Sequence, residues 1–317
     1  MTARACPWFE AFAPATVSNL GPGFDCLGLA LKARGDTVRA RWREEPGVAL
    51  LRVTGDGGKL DTDATRNTAG VAAAALLRRH APGAGVELEL DKGLPLGSGL
   101  GSSGASAAAA VLAVDAALEL GLPAVALVEA ARAGEFAACG AGHPDNVAPA
   151  IMGGIVLIPS LDPLRLVSLP VPNSMWLAVY TPGCSLATAD ARAALPRKVD
   201  LAAVVQHAAR LALLVHALHV GDLAMLGEAI VDDIVEPARA PLIPGYLEAK
   251  ASCCEAGALA CSISGAGPTT FAIASDRGRA EVLLGLLDEA FAGVGVAGSG
   301  FVDQVGSGAR ITSGVLH

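Results

Sequence analysis

At 317 residues the chain has room for two ordinary domains, and with 52% hydrophobic against 17% charged residues it is unusually apolar. Even so, no uninterrupted apolar run reaches the roughly 18 residues that a bilayer demands, since the richest runs are cut by Asp115, by Arg210 or by Pro and Gly, which argues against a membrane partner. A net charge of −8 argues against nucleic acid, seven irregularly spaced cysteines form no disulfide or zinc framework, and no secretory h-region precedes Pro7, so a cytoplasmic location is expected.

Residues 12 to 31 begin with a short apolar run and turn at Gly21-Pro22-Gly23, with Asp25 close behind. A carboxylate beside Phe24 and Leu27 needs either a helix N-terminus to cap or a ligand cation, and the sequence leaves both open. Strands are predicted at 37–42 and 48–54, then a glycine-rich loop, then a helix from Asn67 or Thr68 to Arg79, at whose start Asn67 reads as an N-cap.

The most informative stretch follows. Val86-Glu87-Leu88-Glu89-Leu90 alternates with the period of a half-buried strand, and residues 104–120 are alanine-rich and end at Gly121 and Pro123, as a helix does. Between them lies Pro95-Leu96-Gly97-Ser98-Gly99-Leu100-Gly101-Ser102-Ser103. Its glycines let backbone N–H groups approach an anion, and the first turn of the helix adds partial positive charge, so the stretch suits a phosphate chain. It lacks the Gly-Lys-Ser/Thr ending of a Walker A loop and misses the dinucleotide fingerprint. A hydroxyl of the serine pair could ligate Mg2+ beside a triphosphate.

A second helix at 124–135 leads to a glycine-rich turn where Glu135, His143, Asp145 and Asn146 crowd together. The turn reads either as an Asx-type connection or as a place for chemistry, and the lone His143 lacks a second histidine at metal-ligand spacing. A strand at 155–158 is followed by four prolines between Pro159 and Pro172, which place the domain division at 160/161, giving domains 1–160 and 161–317. Beyond it, strands are predicted at 176–180, 260–263, 270–274 and 309–311. Helices are predicted from about 186, at 201–219, at 222–234, after Pro244-Gly245 and at 278–291. A second glycine turn, Ser264-Gly265-Ala266-Gly267-Pro268-Thr269, falls between two of the strands. This alternation has no parallel-sheet rhythm, so an α+β two-layer arrangement is expected.

Three stretches, Pro14-Ala15-Thr16 through Gly21-Pro22-Gly23-Phe24-Asp25, Pro95 through Ser106, and Ser264-Gly265-Ala266-Gly267-Pro268, resemble in order and spacing the three motifs of the GHMP small-molecule kinases. Within that superfamily the chain is most similar to the homoserine kinase family. That likeness rests on Glu135 with His143-Pro144-Asp145-Asn146-Val147, Thr188 with Arg192, and Glu236-Pro237-Ala238-Arg239 followed by Leu242-Ile243-Pro244-Gly245.

The resemblance implies a two-domain α+β fold, with an N-terminal ATP-binding domain like domain 2 of ribosomal protein S5 and a ferredoxin-like C-terminal domain. It implies transfer of the ATP γ-phosphoryl to the hydroxyl of L-homoserine in threonine biosynthesis, with Mg2+, by a homodimer. By the same resemblance Pro95, Gly97, Ser98, Gly99, Leu100, Gly101, Ser102 and Ser103 cradle the phosphates, Asn67 and Lys92 lie along the nucleotide, and Ser102 or Ser103 with Glu135 hold the metal. Asn19, Asp25, His143, Asn146, Thr188, Arg192, Arg239 and Gly265 form the substrate site, where Asp25 suits the ammonium and the two arginines the carboxylate. Asn146 and Arg192 are the candidate catalytic residues. An amide cannot accept a proton at neutral pH, so Asn146 is no general base; either the hydroxyl attacks without a protein base or Asp145 serves. Ala187 stands where a serine often precedes the threonine, and Gly104 where alanine is frequent. A non-catalytic sensor on the same fold, or a sister kinase acting on another small alcohol, are the alternative readings.

Overall fold

The computed structural model describes residues 7–140 and 142–314; the residues before Pro7 that were read for a signal sequence lie outside them. Strands β1 (Phe9–Ser18), β2 (Leu27–Arg43), β3 (Gly47–Thr54), β4 (Gly85–Asp91) and β11 (Arg310–Ser313) form a sheet ordered β11-β1-β2-β4-β3. β3 and β4 run parallel, joined across the face by α1 (Thr68–His80). β2 spans 17 residues, so its first residues pair with β5 (Ile155–Leu161) while later ones pair with β4.

β5 in turn pairs with β6 (Leu164–Leu169). The first sheet therefore runs on to Leu169 and is rejoined by β11 near the C-terminus, whereas the proline content had put the division at 160/161. The reason is local: Pro163 occupies the hairpin turn between β5 and β6, where a missing N–H disrupts no ladder.

Helices α2 (Ser102–Ala117), α3 (Ala124–Cys139), α1 and the short α4 (Val147–Met152) cover one face of this sheet. α2 is apolar around its whole circumference and is accordingly buried, Ala107 to Ala110 among its fully covered residues. Its small side chains let the helix axis lie close to β1 and β2, which fixes the position of the glycine loop at its N-terminus.

The second sheet has the order β10-β7-β9-β8, all antiparallel, from β7 (Trp176–Pro182), β8 (Ala260–Ile263), β9 (Thr270–Ala274) and β10 (Gly298–Asp303). Helices α5 (Thr188–Ala193), α6 (Leu201–Val220), α7 (Leu223–Ala229), α8 (Glu236–Arg239) and α9 (Tyr246–Glu255) lie between β7 and β8, and α10 (Arg277–Gly293) between β9 and β10. This is the βαββαβ pattern of a ferredoxin-like unit with extra helices in its first crossover. The helix predicted to reach residue 234 stops at Ala229, because the Asp232 carboxylate accepts the N–H groups of Ile234, Val235 and Glu236 and turns the chain into α8.

α9 and α10 pack on one face of this sheet, with Tyr180 and Phe291 stacked at 5.3 Å. On the other face Leu177, Val179, Phe271 and Ile273 join Leu214, Ala217 and Leu218 of α6 and Val17, Leu29 and Leu31 of the first sheet in one continuous core. Neither sheet can shed this core alone. Phe271→Ala is expected to cost about 3–5 kcal/mol and, in scanning calorimetry, to lower a single transition for the whole chain; separate melting of the second sheet would contradict the shared core.

Candidate active site

A cavity of about 460 Å³ opens where the two sheets meet. One wall is the loop between β4 and α2. Gly97, Gly99 and Gly101 all have positive φ, at 63°, 85° and 63°, which only glycine adopts freely. At Gly101 a side chain is also excluded by space, since a Cβ would stand 2.0 Å from Thr16 Oγ1 and 2.8 Å from Asn146 Oδ1. The Thr16 hydroxyl donates to Asn146 Oδ1 at 2.8 Å, so the Asn146 amide is oriented from beneath the loop. Gly104 faces the same side chain, where a Cβ would lie 3.2 Å from Asn146 Cβ, so an alanine there would need Asn146 to yield by a few tenths of an ångström.

The serine pair divides its labour. Ser102 is buried, and its hydroxyl accepts from Lys92 Nζ at 2.7 Å. Ser103 is the hydrogen-bond partner of Glu135, whose carboxyl is pushed up by burial and pulled back by Ser103 and Lys92. A hydroxyl beside a buried carboxylate is a donor set that a hard divalent cation would complete.

At the opposite end Asp25 and Arg192, 167 positions apart in sequence, meet in a bidentate pair with N–O distances of 3.0 and 3.1 Å. Phe24 has two guanidiniums near its ring, Arg192 5.7 Å and Arg239 5.2 Å from the ring centre. Arg239 is buried and donates to Gly265 O at 2.6 Å, and Asn19 Nδ2 donates to the same carbonyl at 3.1 Å. Asn19 is left-handed and its Oδ1 accepts the Asp25 N–H at 3.2 Å, so one asparagine ties the Asp25 turn to the second glycine turn. Thr188 and Arg192 come from the first and fifth residues of α5, whose N-cap is Ala187 and supplies no side-chain hydrogen bond.

His143 Nε2 lies 3.5 Å from Asp25. Burial holds its pKa down more than Asp25 raises it, and Arg192 and Arg132 lower it further, so the ring is neutral at pH 7. The turn carrying it is fixed by Arg132, whose Nε donates to Gly142 O at 2.9 Å. Asp145 is buried at the cavity wall, its carboxyl pushed up to about 7 by burial first and then by the charge of Asp25.

Of the residues expected from the sequence, most border this single cavity, but Pro95 and Leu100 do not. Pro95 is exposed, while Leu100 is buried in the core shared by both sheets and anchors the loop. Asn67 spends its side chain on structure: Oδ1 caps the Ala69 N–H at 3.1 Å and Nδ2 donates to Asp61 O at 3.0 Å. Ser98 bonds within the turn, donating to Pro95 O at 3.0 Å. Lys92 borders the cavity, but its side chain is 1% exposed and turned toward Asp36. Phe24, Thr16, Ser106 and the Asp61–Arg66 pair are site features that sequence reasoning missed. Phe24, Thr16 and Ser106 each lie within one of the three motifs, which marked them without assigning a task, whereas the Asp61–Arg66 pair carried no signal.

Burial of Asp145 has a consequence for stability. Its carboxyl has an ordinary value of 3.8 and a folded value of about 7. The unfolded chain thus releases the proton first, so the contribution is full below pH 3.8 and is lost as pH rises to about 7. Asp145→Asn is expected to flatten that decline by on the order of 4 kcal/mol between pH 3.8 and 8, read as the difference in unfolding free energy at the two ends. An unchanged slope would show that Asp145 ionises normally in the fold.

Residues 67–154 match the family GHMP kinases N terminal domain and residues 214–293 the family GHMP kinases C terminal. The chain is 40% identical over 292 residues to the homoserine kinase of Chlorobium phaeobacteroides strain DSM 266, covering 89% of this chain and 91% of that one. It is 44% identical over 319 residues to that of Arabidopsis thaliana, covering 96% and 85%. Among solved structures, homoserine kinase from Cytophaga hutchinsonii superposes with a TM-score of 0.92 at 38% identity over 98% of both chains. A mevalonate kinase from L. major shares the fold at a TM-score of 0.69 and 16% identity. With identity at this level extending over both sheets and the seam between them, the chain belongs to the homoserine kinase family of the GHMP kinases.

Proposed function

We propose that the protein transfers the γ-phosphoryl group of ATP to the side-chain hydroxyl of L-homoserine, giving O-phospho-L-homoserine for threonine biosynthesis. The observation that carries this reading is the shared cavity of the phosphate loop and the Asp25–Arg192 pair. Without substrate the two charges satisfy each other. A zwitterionic amino acid offers each of them a new partner, its ammonium for Asp25 and its carboxylate for Arg192 and Arg239, so binding exchanges one charge-assisted pair for two. The same proposal includes the cytoplasmic location expected from the sequence.

The backbone N–H groups of the glycine loop and the start of α2 hold the phosphates. Ser103 and Glu135 would hold Mg2+, which supplies neutralisation of the charge that develops on the transferring phosphoryl group. Asn146, fixed by Thr16, presents its amide N–H groups to the oxygens between donor and acceptor. His143 is neutral and oriented over Asp25. In this reading catalysis rests on positioning and charge neutralisation, and the substrate hydroxyl attacks without a dedicated protein base.

An assay of ADP release with L-homoserine, mevalonate and galactose is expected to show turnover with homoserine only; background rates with all three would contradict the enzyme reading. Arg192→Ala should raise KM for homoserine about 100-fold, through loss of a charge-assisted pair, while KM for ATP changes little. Asp145→Asn should keep turnover within roughly tenfold, whereas a loss of three orders of magnitude, on the scale of general base catalysis, would assign the base to Asp145.

We also propose that the protein acts as a homodimer through α6. This helix is, by length and composition, apolar enough to cross a bilayer, yet only 17% of its apolar window is buried. Leu201, Val204, Val205 and Val220 are exposed on it. Exposed apolar side chains gathered on one helix mark a surface that is normally covered, and the net charge of −8 disfavours an anionic membrane as the cover. Light scattering is expected to give twice 31.6 kDa for the native chain and 31.6 kDa for Val205→Glu; a monomeric native chain would contradict the proposal.

A further inference from the structure

Lys92, just after β4, and Asp36, within β2, form an ion pair sealed beneath the first turn of α2, their side chains 1% and 0% exposed. The ammonium also reaches Ser102 O at 2.9 Å, Ser102 Oγ at 2.7 Å and Ser106 Oγ at 2.9 Å. An ammonium has three hydrogens to donate, and these four acceptors occupy all of them. Asp36 is equally committed: Oδ1 accepts the Gly93 and Leu94 N–H groups at 3.0 and 3.2 Å, and Oδ2 accepts the Ser106 hydroxyl at 2.7 Å.

The placement runs against simple electrostatics. A cation at a helix N-terminus opposes the helix dipole, and burying an ion pair carries a desolvation cost that its attraction does not always offset. What the arrangement secures is geometry. It grips the first residue of α2 by carbonyl and hydroxyl together, and it bonds to the backbone entering the glycine loop at Gly93 and Leu94. The Ser102 hydroxyl, accepting from Lys92 and within 3.4 Å of Leu94 O, is turned into the protein. Ser103 is left facing Glu135.

We propose that Lys92, Asp36 and Ser106 are positioning residues for the phosphate loop, acting through Ser102 to set the loop and to present Ser103 to the metal and nucleotide, with no contact between the Lys92 ammonium and the nucleotide. The inference rests on the ATP-binding reading given above. Lys92 borders the cavity, yet its ammonium is committed to protein acceptors, and the two adjacent serines receive different tasks.

The test uses the full-length protein and three variants, Ser106→Ala, Asp36→Asn and Lys92→Met. Binding of a fluorescent ATP analogue is titrated against Mg2+ in the absence of homoserine. Steady-state KM values for MgATP and homoserine and melting temperatures are measured alongside. All three variants are expected to weaken nucleotide binding, Ser106→Ala by about 3–10-fold, the size of one lost neutral hydrogen bond, and the other two by more. The Mg2+ midpoint and KM for MgATP should rise together while KM for homoserine stays within twofold. Ser106→Ala removes only a hydroxyl, so it carries the test should the charge variants fail to fold. Weakening in Lys92→Met with wild-type binding in the other two would overturn the proposal by making Lys92 a direct phosphate ligand. Lower melting temperatures with wild-type nucleotide and Mg2+ titrations in every folded variant would overturn it by reducing the cluster to a structural one. Failure of the native protein to bind the analogue would instead remove the ATP reading itself, and this inference with it.

Discussion

The site depends on a seam in which two glycine turns from different sheets hold each other. Ser264 donates its hydroxyl to Gly99 O at 2.7 Å, the Thr269 N–H donates to Ser98 O at 3.1 Å, and the Gly265 N–H donates to Ser18 O at 3.2 Å. The approach is so close that a Cβ on Gly99 would stand 2.6 Å from Ser264 O. A glycine-rich loop has high conformational entropy to lose. Here the loss is met by bonds from the second sheet on one side and the Asp36–Lys92 cluster on the other, so the loop proposed to cradle the phosphates is preformed. The shared apolar core behind the seam is what makes these bonds persistent.

The same frame explains how a chain of net charge −8 holds a polyanion and a zwitterion. No broad positive surface is needed when each charge is placed singly and given a local partner. Asp25 stands against Arg192, Arg239 against the Gly265 carbonyl and the face of Phe24, and Asp36 against Lys92. Two of these arrangements differ in kind. The Lys92 pair is sealed and satisfied four ways, which suits a fixed support. The Asp25 pair borders the cavity and is partly open, which suits a clamp that changes partners.

Much of this was legible in the sequence. The glycine loop, the alanine-rich α2 and the acidic-apolar alternation of β4 follow from local propensity and period, and the three motifs in order pointed to the fold. What escaped was set by contacts distant in sequence. Nothing near Lys92 indicates that Asp36 and Ser106 will consume its hydrogens, so it reads as one more cation beside a phosphate loop. Asn67 was legible as a cap, and the structure gives it that task. β1, β6 and β10 were missed because Pro14, the prolines flanking β6 and the glycines of β10 weaken the strand pattern, while the sheet supplies the pairing that propensity lacks. α7 broke early at a side-chain bond from Asp232 that no window average contains.

The central claim is that the cradle is fixed while the Asp25–Arg192 pair is the element that substrate reorganises. A crystal structure with L-homoserine and a non-hydrolysable ATP analogue tests it most directly. The account predicts that the Asp25–Arg192 fork opens, with the ammonium on Asp25 and the carboxylate on Arg192 and Arg239, while the loop from Gly97 to Ser103 keeps its backbone path. A fork that stays closed with homoserine bound elsewhere, or a loop that refolds around the nucleotide, would contradict it.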